Sequence, residues 1–301
     1  MPDLVGHNRE GITVPAPTVR LRRLASELRR LRSAADLTRE AVSERTGINQ
    51  ATLYRIETAR TRPQARTLTA LLDAYKVVEP KRSEMITLLR ESAHRGWLPT
   101  FSSDLPERYA SFIEFETEAR EVLNYECLFI PGLLQTERYA RAAISGVLPE
   151  CGRDEIEHRV DARMQRQAAI TKDQPLKLWA IVDEAALRRA VGGREVMREQ
   201  LEHLLEVTEL PTVHLQVLPF EAGAHPGMHG SFVIMNFPEA IGPDLVYTET
   251  QAGNLFLEEE ADIARYSLVF THLRAGALSP SASASLIKTM AEDQHEGRGA
   301  R

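Results

Sequence analysis

Apolar residues return at steps of three and four from Val19 onward, which is the spacing of one helix face. This stripe consists of Leu21, Leu24, Leu28 and Leu31. The pattern predicts a first amphipathic helix, with arginines on its other faces. Two more helices are predicted near 64–75 and 81–94, after a break at Arg62-Pro63, because proline disfavours helix in the residue before it.

Residues 37–57 carry the signals of two short helices joined by a tight turn. Thr38 is a good N-cap for the first helix, Gly47 suits a left-handed turn, and Asn49 caps the second helix. This order predicts a helix-turn-helix, which places its second helix in the major groove of DNA. Five helices between about 19 and 95 would make a complete small domain.

Beyond residue 106 the apolar period changes, and strand patterns alternate with helix patterns. The stripe Tyr109, Phe112, Ala119 and Val122 predicts a helix at 107–125, and a strand or extended segment follows at 127–130. Further helices are predicted near 136–145, 153–170, 195–207 and 260–275. Runs of strand length are 176–182, 213–218, 232–237 and, more weakly, 245–248. The Ser- and Ala-rich stretch after Leu278 predicts a short helix or tail.

The sequence therefore predicts a multi-domain chain. An all-α, five-helix N-terminal helix-turn-helix domain is followed by an α/β or α+β domain with a mixed sheet of about four to five strands. The predicted parts are a flexible arm at 1–18, the helix-turn-helix domain at 19–96, a linker at 97–106, the α/β domain at 107–280 and a C-terminal tail at 281–301.

Charge divides the 301 residues in the same way. Residues 1–99 contain 18 Lys and Arg against 11 Asp and Glu, a balance of +7, whereas the remainder holds 19 against 32, a balance of −13. A basic front and an acidic back favour a nucleic-acid module joined to a domain that does not touch phosphate. Composition drift between two domains is the alternative explanation.

The sequence has no apolar leader and no run near the roughly 20 apolar residues of a membrane helix. We therefore expect a cytoplasmic protein without membrane contact, associated with the nucleoid when it is bound to DNA. Cys127 and Cys151 lack metal-ligand spacing and are expected to be reduced thiols, although a lone disulfide between them stays open and no role is assigned to either.

The second helix of the predicted helix-turn-helix carries side chains that can read bases. Its first turn holds Gln50, Ala51 and Thr52, and Arg55 lies one turn further on nearly the same face. Gln pairs with adenine and Arg with guanine through two bonds each, while Ala51 and Thr52 can meet thymine methyl groups. Further DNA contacts, mostly to the backbone, are expected from Arg39, Asn49, Tyr54, Arg60 and Arg62. Packing at the domain edge is an equal alternative for Tyr54.

The string LRRLRSAADLTREAVSERTGINQATLYRIETARTRP closely resembles the Xre, or phage-repressor-like, helix-turn-helix family. The resemblance implies a DNA contact by Arg39 near the half-site edge and base-reading or groove-lining positions for Gln50, Ala51, Thr52 and Arg55. It also implies a partly buried structural ion pair between Arg32 and Glu57. The sequence departs from the family at Ala41, where a Glu usually completes a capping box.

Six strings further along resemble the actinobacterial domain of unknown function found behind Xre-type readers in antitoxin-like and developmental regulators. They are FIPGLLQTERYARA, RMQRQ, DEAALRRAVGG, MREQLEHLL, VHLQVLPFEAGAHPGMHGSFVIMNF and VYTET. The resemblance implies transcription regulation, often with a small companion protein encoded nearby. No ligand-binding residues follow from it.

Candidate chemistry in the second domain has simpler explanations. His225 and His229 are separated by Pro226 and Gly227, so with His214 and Glu221 they are better explained as loop and surface residues than as metal ligands. Asp183, Glu184, Arg188 and Arg189 fit either a pocket or a solvated helix start, and Glu114, Glu116, Glu118 and Glu121 fit an exposed helix face or a dock for a basic partner. No nucleophile elbow or nucleotide loop is present, so we expect no enzyme, cofactor or metal.

The sequence favours a DNA-binding transcriptional regulator that recognises a palindromic operator in double-stranded DNA as a homodimer. The second domain would dimerise, bind a partner or sense an unidentified small-molecule ligand. The alternative is an antitoxin-like interaction protein that sequesters a small companion protein, with DNA binding as autoregulation. An enzyme targeted to DNA is the third class, and the lack of catalytic motifs argues against it.

Overall fold

The computed structural model describes residues 19–92, 107–238, 241, 243–251 and 253–296. The arm predicted at 1–18, the linker predicted at 97–106 and residues 297–301 of the predicted tail lie outside the described residues. The described chain forms an N-terminal domain (19–92) and a C-terminal domain (107–296). This confirms the predicted class, a helical helix-turn-helix domain followed by a domain with a mixed sheet and helices.

The N-terminal domain is a small helical bundle around a leucine-rich core. Its helices are α1 Val19–Ala34, α2 Arg39–Thr46, α3 Gln50–Glu57, α4 Ala65–Ala74 and α5 Lys81–Glu91. The predicted stripe on α1 faces this core, with Leu24 and Leu28 fully buried. Leu53 and Ile56 of α3 are buried there as well, so α3 is held on the bundle by one face and leaves the other to solvent.

The C-terminal domain is built on a six-stranded mixed sheet in the order β3-β2-β1-β4-β5-β6. The strands are β1 Glu121–Glu126, β2 Lys177–Asp183, β3 Val213–Leu218, β4 Phe232–Asn236, β5 Leu245–Thr250 and β6 Gly253–Leu257. Strands β1, β2 and β3 are parallel, and β4, β5 and β6 continue the sheet with antiparallel pairings. Alternate residues of each strand therefore face two different cores.

Helices cover the two faces of this sheet unequally. They are α6 Glu107–Glu118, α7 Glu137–Val147, α8 Arg153–Arg166, α9 Glu184–Arg188, α10 Arg194–Val207, α11 Glu260–Gly276 and α12 Pro280–Glu296. The larger core lies under helices that include α6, α10 and α12, whereas the smaller core lies between the other face and α11. Within the described residues, no helix combines the length and apolar character needed to cross a bilayer.

The central strand of the sheet contradicts the sequence prediction. The helix expected at 107–125 ends at Glu118, and Glu121–Glu126 forms β1, which pairs with both β2 and β4. Val122 faces the larger core, while Tyr125 faces the smaller one. Val122 and Tyr125 are three residues apart, and this spacing also fits one face of a helix, so the local pattern was ambiguous. The segment forms a strand because it pairs with β2 on one side and with β4 on the other.

The segment at 127–130, predicted as a strand or extended segment, contains bends and no strand, and a 3₁₀ turn follows at Gly132–Leu134. The sheet has six strands rather than four to five, because β6 pairs with β5 across a short hairpin. The short helix or tail predicted after Leu278 is the 17-residue helix α12. Its Ile287 and Met290 are buried in the larger core, which fixes the helix to the domain.

Candidate nucleic-acid interface

The turn between α2 and α3 is built by local capping. Thr38 Oγ1 accepts a hydrogen bond from the Ala41 N–H at 3.2 Å, so α2 begins on its cap alone. The helix ends at Gly47, whose φ of 72° suits a residue without Cβ. The Asn49 side-chain oxygen accepts from the Ala51 N–H at 2.8 Å. Asn49, predicted as a DNA contact, thus already uses this oxygen to cap α3.

The outer side of α3 forms a ridge that stays exposed in the two-domain structure. Its exposed members are Gln50, Ala51, Tyr54 and Arg55. Thr52 is half-buried, and its hydroxyl lies 3.4 Å from Arg55 Nη2. The structure therefore places an amide, a methyl group and a guanidinium together on one solvent-facing surface, and these are the groups that read base edges in a major groove.

Glu57, at the end of α3, is held by arginines from the two preceding helices. Arg32 donates from Nε and Nη2 to the two carboxylate oxygens at 2.6 and 3.2 Å, and Arg39 Nε donates at 2.8 Å. The Glu57 side chain is 2% exposed. Its hydrogen bond to Arg32 raises the pKa of that guanidinium. Arg39, predicted as a DNA contact, thus also helps to fix the direction of α3.

The loop after α3 treats its two arginines differently. Arg62, predicted as a phosphate contact, donates to the Leu89 carbonyl at 2.7 Å and to Ser92 Oγ at 3.1 Å, and so ties the loop to the end of α5. Arg60 instead reaches the C-terminal domain, where its Nη2 lies 2.9 Å from Glu259 Oε1. Arg60 also lies over the Tyr54 ring, 5.6 Å from its centroid. Arg62 is therefore bonded within its own domain, whereas Arg60 pairs with Glu259 at the surface, where both side chains are exposed.

A buried arginine joins the two domains behind α3. Arg22 of α1 is 2% exposed and lies between the rings of Phe115 and Phe237, 5.1 and 5.0 Å from their centroids. It donates to the Pro243 carbonyl, and its Nε lies 3.7 Å from Glu258 Oε2. Burial lowers the pKa of this guanidinium. This role could not be predicted from the sequence, because the helical pattern marks Arg22 only as a residue off the apolar stripe.

The carboxyl ends of β1 and β2 bring together polar groups of the C-terminal domain. His225 Nε2 and the Tyr125 hydroxyl lie 3.6 and 3.5 Å from Asp183 Oδ2. The Asp183 side chain also caps α9 by accepting from the Ala185 N–H at 2.9 Å. Glu126 follows Tyr125 at the end of β1, and burial raises the pKa of its carboxyl group to about 7. These contacts give Asp183 and His225 structural partners within the fold.

The other predicted candidates are placed apart. His214 packs against Trp179, and Cys127 and Cys151 are free thiols. Glu116, predicted on an exposed acidic face, is instead buried in an ion pair with Arg166, because α6 turns that face toward α8. Within the described part of the chain, no group of three or more His, Cys, Asp or Glu residues is arranged to hold a metal ion.

Comparisons with known families agree with this division of the chain. A family described as "Helix-turn-helix domain" matches residues 23–85, which include α2, α3 and their turn. The N-terminal domain is therefore a helix-turn-helix of the DNA-binding kind. No curated protein and no solved structure gives a significant match. A second family matches residues 109–289, more than half of the chain, and the chain therefore belongs to the family described as "Domain of unknown function (DUF5753)".

Proposed function

We propose that this protein is a sequence-specific transcriptional regulator that binds a palindromic operator as a homodimer. The exposed ridge of α3 carries the proposal, because Gln50 and Arg55 remain accessible while Leu53 and Ile56 anchor the helix. The proposal assigns DNA reading to the N-terminal domain. It assigns dimerisation, and the sensing of a partner protein or small ligand, to the C-terminal domain, and it includes no catalytic activity.

The dimer follows from the small size of the reading surface. Helix α3 has 8 residues and is about 12 Å long, so one copy spans only a few base pairs. Two copies on half-sites about 10 bp apart would double the contacts and make the operator palindromic. Their relative angle would then govern affinity, which gives the C-terminal domain a way to regulate binding.

The experiment that tests the proposal is selection of bound DNA from a random pool with the full-length protein. We expect enrichment of an inverted repeat with half-site centres about one helical turn apart. Enrichment of no sequence at all would contradict sequence-specific recognition, and enrichment of a single unrepeated site would contradict the dimer.

An antitoxin-like role remains the second hypothesis. It rests on the family resemblance, and no contact among the described residues favours it over direct regulation. Copurification of a small companion protein that depends on residues 100–301 would favour the antitoxin-like role over direct regulation.

Arg55 provides a test of base reading. Replacing it by Ala should cost about 1–3 kcal/mol of discrimination at one operator position, because a bidentate bond to a base edge is lost. Competition binding between the selected operator and its single-base variants measures this loss. Arg153→Ala, an exposed arginine at the start of α8, is the matched control and should leave discrimination unchanged. Equal losses on operator and random DNA would contradict the role of Arg55.

Arg60 and Glu259 provide a test of backbone contact. Arg60→Ala should weaken operator and random DNA alike and reduce the salt slope by about 0.9, because one phosphate contact disappears. Glu259→Gln should strengthen both by up to about fivefold, since the exposed Arg60–Glu259 pair competes with phosphate. Mobility shifts at several salt concentrations measure both effects.

Glu260→Gln is the control for Glu259→Gln, because it removes the same charge from the next residue. Equal strengthening by both variants would indicate a general charge effect and would exclude specific competition for Arg60.

A further inference from the structure

A cavity of about 490 Å³ lies between the two domains, directly behind α3. Residues of α1 and of the end of α3 line one side, and β6 with the start of α11 lines the other. Volumes of about 300–1,000 Å³ at domain interfaces are typical of small-molecule sites. The charges on its two walls decide what kind of molecule it can hold.

The wall on the N-terminal domain offers hydrogen-bond donors. Arg22, Ser26 and Arg29 lie at steps of four and three on one face of α1, and all three line the cavity. Arg22 is almost fully buried, yet its Nε and Nη1 have no hydrogen-bond acceptor among the described residues. Arg29 makes no ion pair or hydrogen bond within the described part of the chain. This wall therefore suits a carboxylate.

The wall on the C-terminal domain is acidic. Glu258 faces Arg22, and Glu259 faces Arg60, so these two carboxylates already have cationic partners. Asp262 also lines the cavity, and its carboxylate has no partner in the described residues. Once these pairs are counted, Arg29 on one wall and Asp262 on the other are left without a partner among the described residues.

A ligand with a single charge does not suit this arrangement. A pure anion that approached Arg29 would also face Glu258, Glu259 and Asp262, and a pure cation near Asp262 would face the arginines. Both are opposed by like charges at close range in a partly desolvated space. A molecule with a carboxylate and an ammonium group meets an opposite charge on each wall.

We propose that this cavity binds a small zwitterionic molecule, with its carboxylate toward Arg29 and Arg22 and its ammonium toward Asp262. The carboxylate would give Arg29 the acceptor that it lacks among the described residues, and would lie near the buried charge of Arg22. Because Arg60 and Tyr54 form part of the lining, occupancy would also bear on the DNA-binding surface; this regulatory consequence rests on the proposed function, whereas binding itself does not.

The test uses the full-length protein and trialanine, a zwitterion small enough for the cavity. Trialanine should raise the melting temperature in proportion to the logarithm of its concentration once the site is saturated. N-acetyl-trialanine keeps only the anion and trialanine amide keeps only the cation, and each should bind at least tenfold more weakly by calorimetry. The absence of a shift with trialanine, or equal shifts with the three peptides, would overturn the proposal.

Variants locate the site. Arg29→Gln and Asp262→Asn should each weaken trialanine binding at least tenfold, and both side chains are accessible enough to be replaced without unfolding. Glu260→Gln, in the same helix turn as Asp262 but outside the cavity lining, should bind normally. Trialanine binding that is unchanged in both Arg29→Gln and Asp262→Asn would place the ligand elsewhere and refute this site.

Failure of this inference is distinguishable from failure of the proposed function. Arg55→Ala should lose base discrimination and still bind trialanine, because Arg55 does not line the cavity. Enrichment of an operator without trialanine binding would overturn the ligand site alone. Trialanine binding without any enriched DNA would overturn the regulator alone.

Discussion

Replacing Glu57 by Gln should lower the free energy of unfolding of the N-terminal domain by about 3 kcal/mol. Arg32 and Arg39 share the buried carboxylate, so its replacement by an amide leaves two guanidiniums close to each other without the negative charge between them. The value lies at the lower end of the range for broken buried pairs, because the two arginine side chains are 15% and 35% exposed. Hydrogen exchange of the α1 and α3 amides in the full chain measures it.

On the proposed function, the same substitution should also reduce DNA binding, because Glu57 fixes the end of α3 to α1 and α2. Glu44→Gln is the matched control, since Glu44 is an exposed glutamate of α2 and should change stability by less than about 0.5 kcal/mol. If Glu57→Gln and Glu44→Gln had equal effects on exchange, the buried pair would not be a stabilising element.

Arg166→Met should destabilise the C-terminal domain by about 3–5 kcal/mol. Arg166 donates to both oxygens of Glu116 at 2.7 and 2.9 Å and to the Tyr109 hydroxyl at 2.9 Å, and both charged side chains are almost fully buried. Met fills similar space but leaves the Glu116 carboxylate buried without a counter-charge. Urea unfolding followed by Trp179 fluorescence, in a Trp97→Phe background, measures the loss.

The double variant Arg166→Met with Glu116→Leu is the informative control. Removing both charges replaces an ion pair with apolar contacts, so a large part of the lost stability should return. A double variant that is less stable than Arg166→Met by the full cost of a second independent substitution would show that the two side chains do not act as a pair.

The helix-turn-helix could be predicted because its determinants are local. Thr38, Gly47 and Asn49 each lie within a few residues of the helix end that they cap, and the apolar stripe of α1 is visible in one window. The solvent-facing position of Gln50 and Arg55 follows from helical spacing alone. The presence of a helix-turn-helix, and the residues exposed on its second helix, could therefore be predicted from the sequence.

The C-terminal domain was harder to predict because its determinants are distant. Strand β1 is defined by neighbours that enter from β2 and β4, and its own six residues fit a helix as well as a strand. Strand β6 is five residues long and lies at the sheet edge, and its apolar run of three residues is too short to distinguish a strand from a helix or loop. Nothing near Glu121–Glu126 in the sequence indicates that it forms the centre of the sheet.

The same limit applies to the contacts around the candidate site. The Arg60–Glu259 pair joins residues 199 positions apart, and Arg22 finds its aromatic neighbours in another domain. The partners of Arg62 in α5 are closer in sequence, yet a basic loop residue gives no indication that it is bonded internally. Position on a helix could be inferred, but the partners across the fold could not.

The central position of β1 has a consequence for synthesis of the chain. The helices of the N-terminal domain touch one another within residues 19–92, so this module can fold on the ribosome soon after it emerges. Strand β1 is synthesised next, but Asn124 contacts Phe232 of β4, which lies 108 positions later in the chain. The edge of β1 that pairs with β4 therefore stays unpaired until β4 has been synthesised. A nascent polypeptide would therefore carry a finished DNA-binding module before translation supplies Glu259, the residue that restrains Arg60.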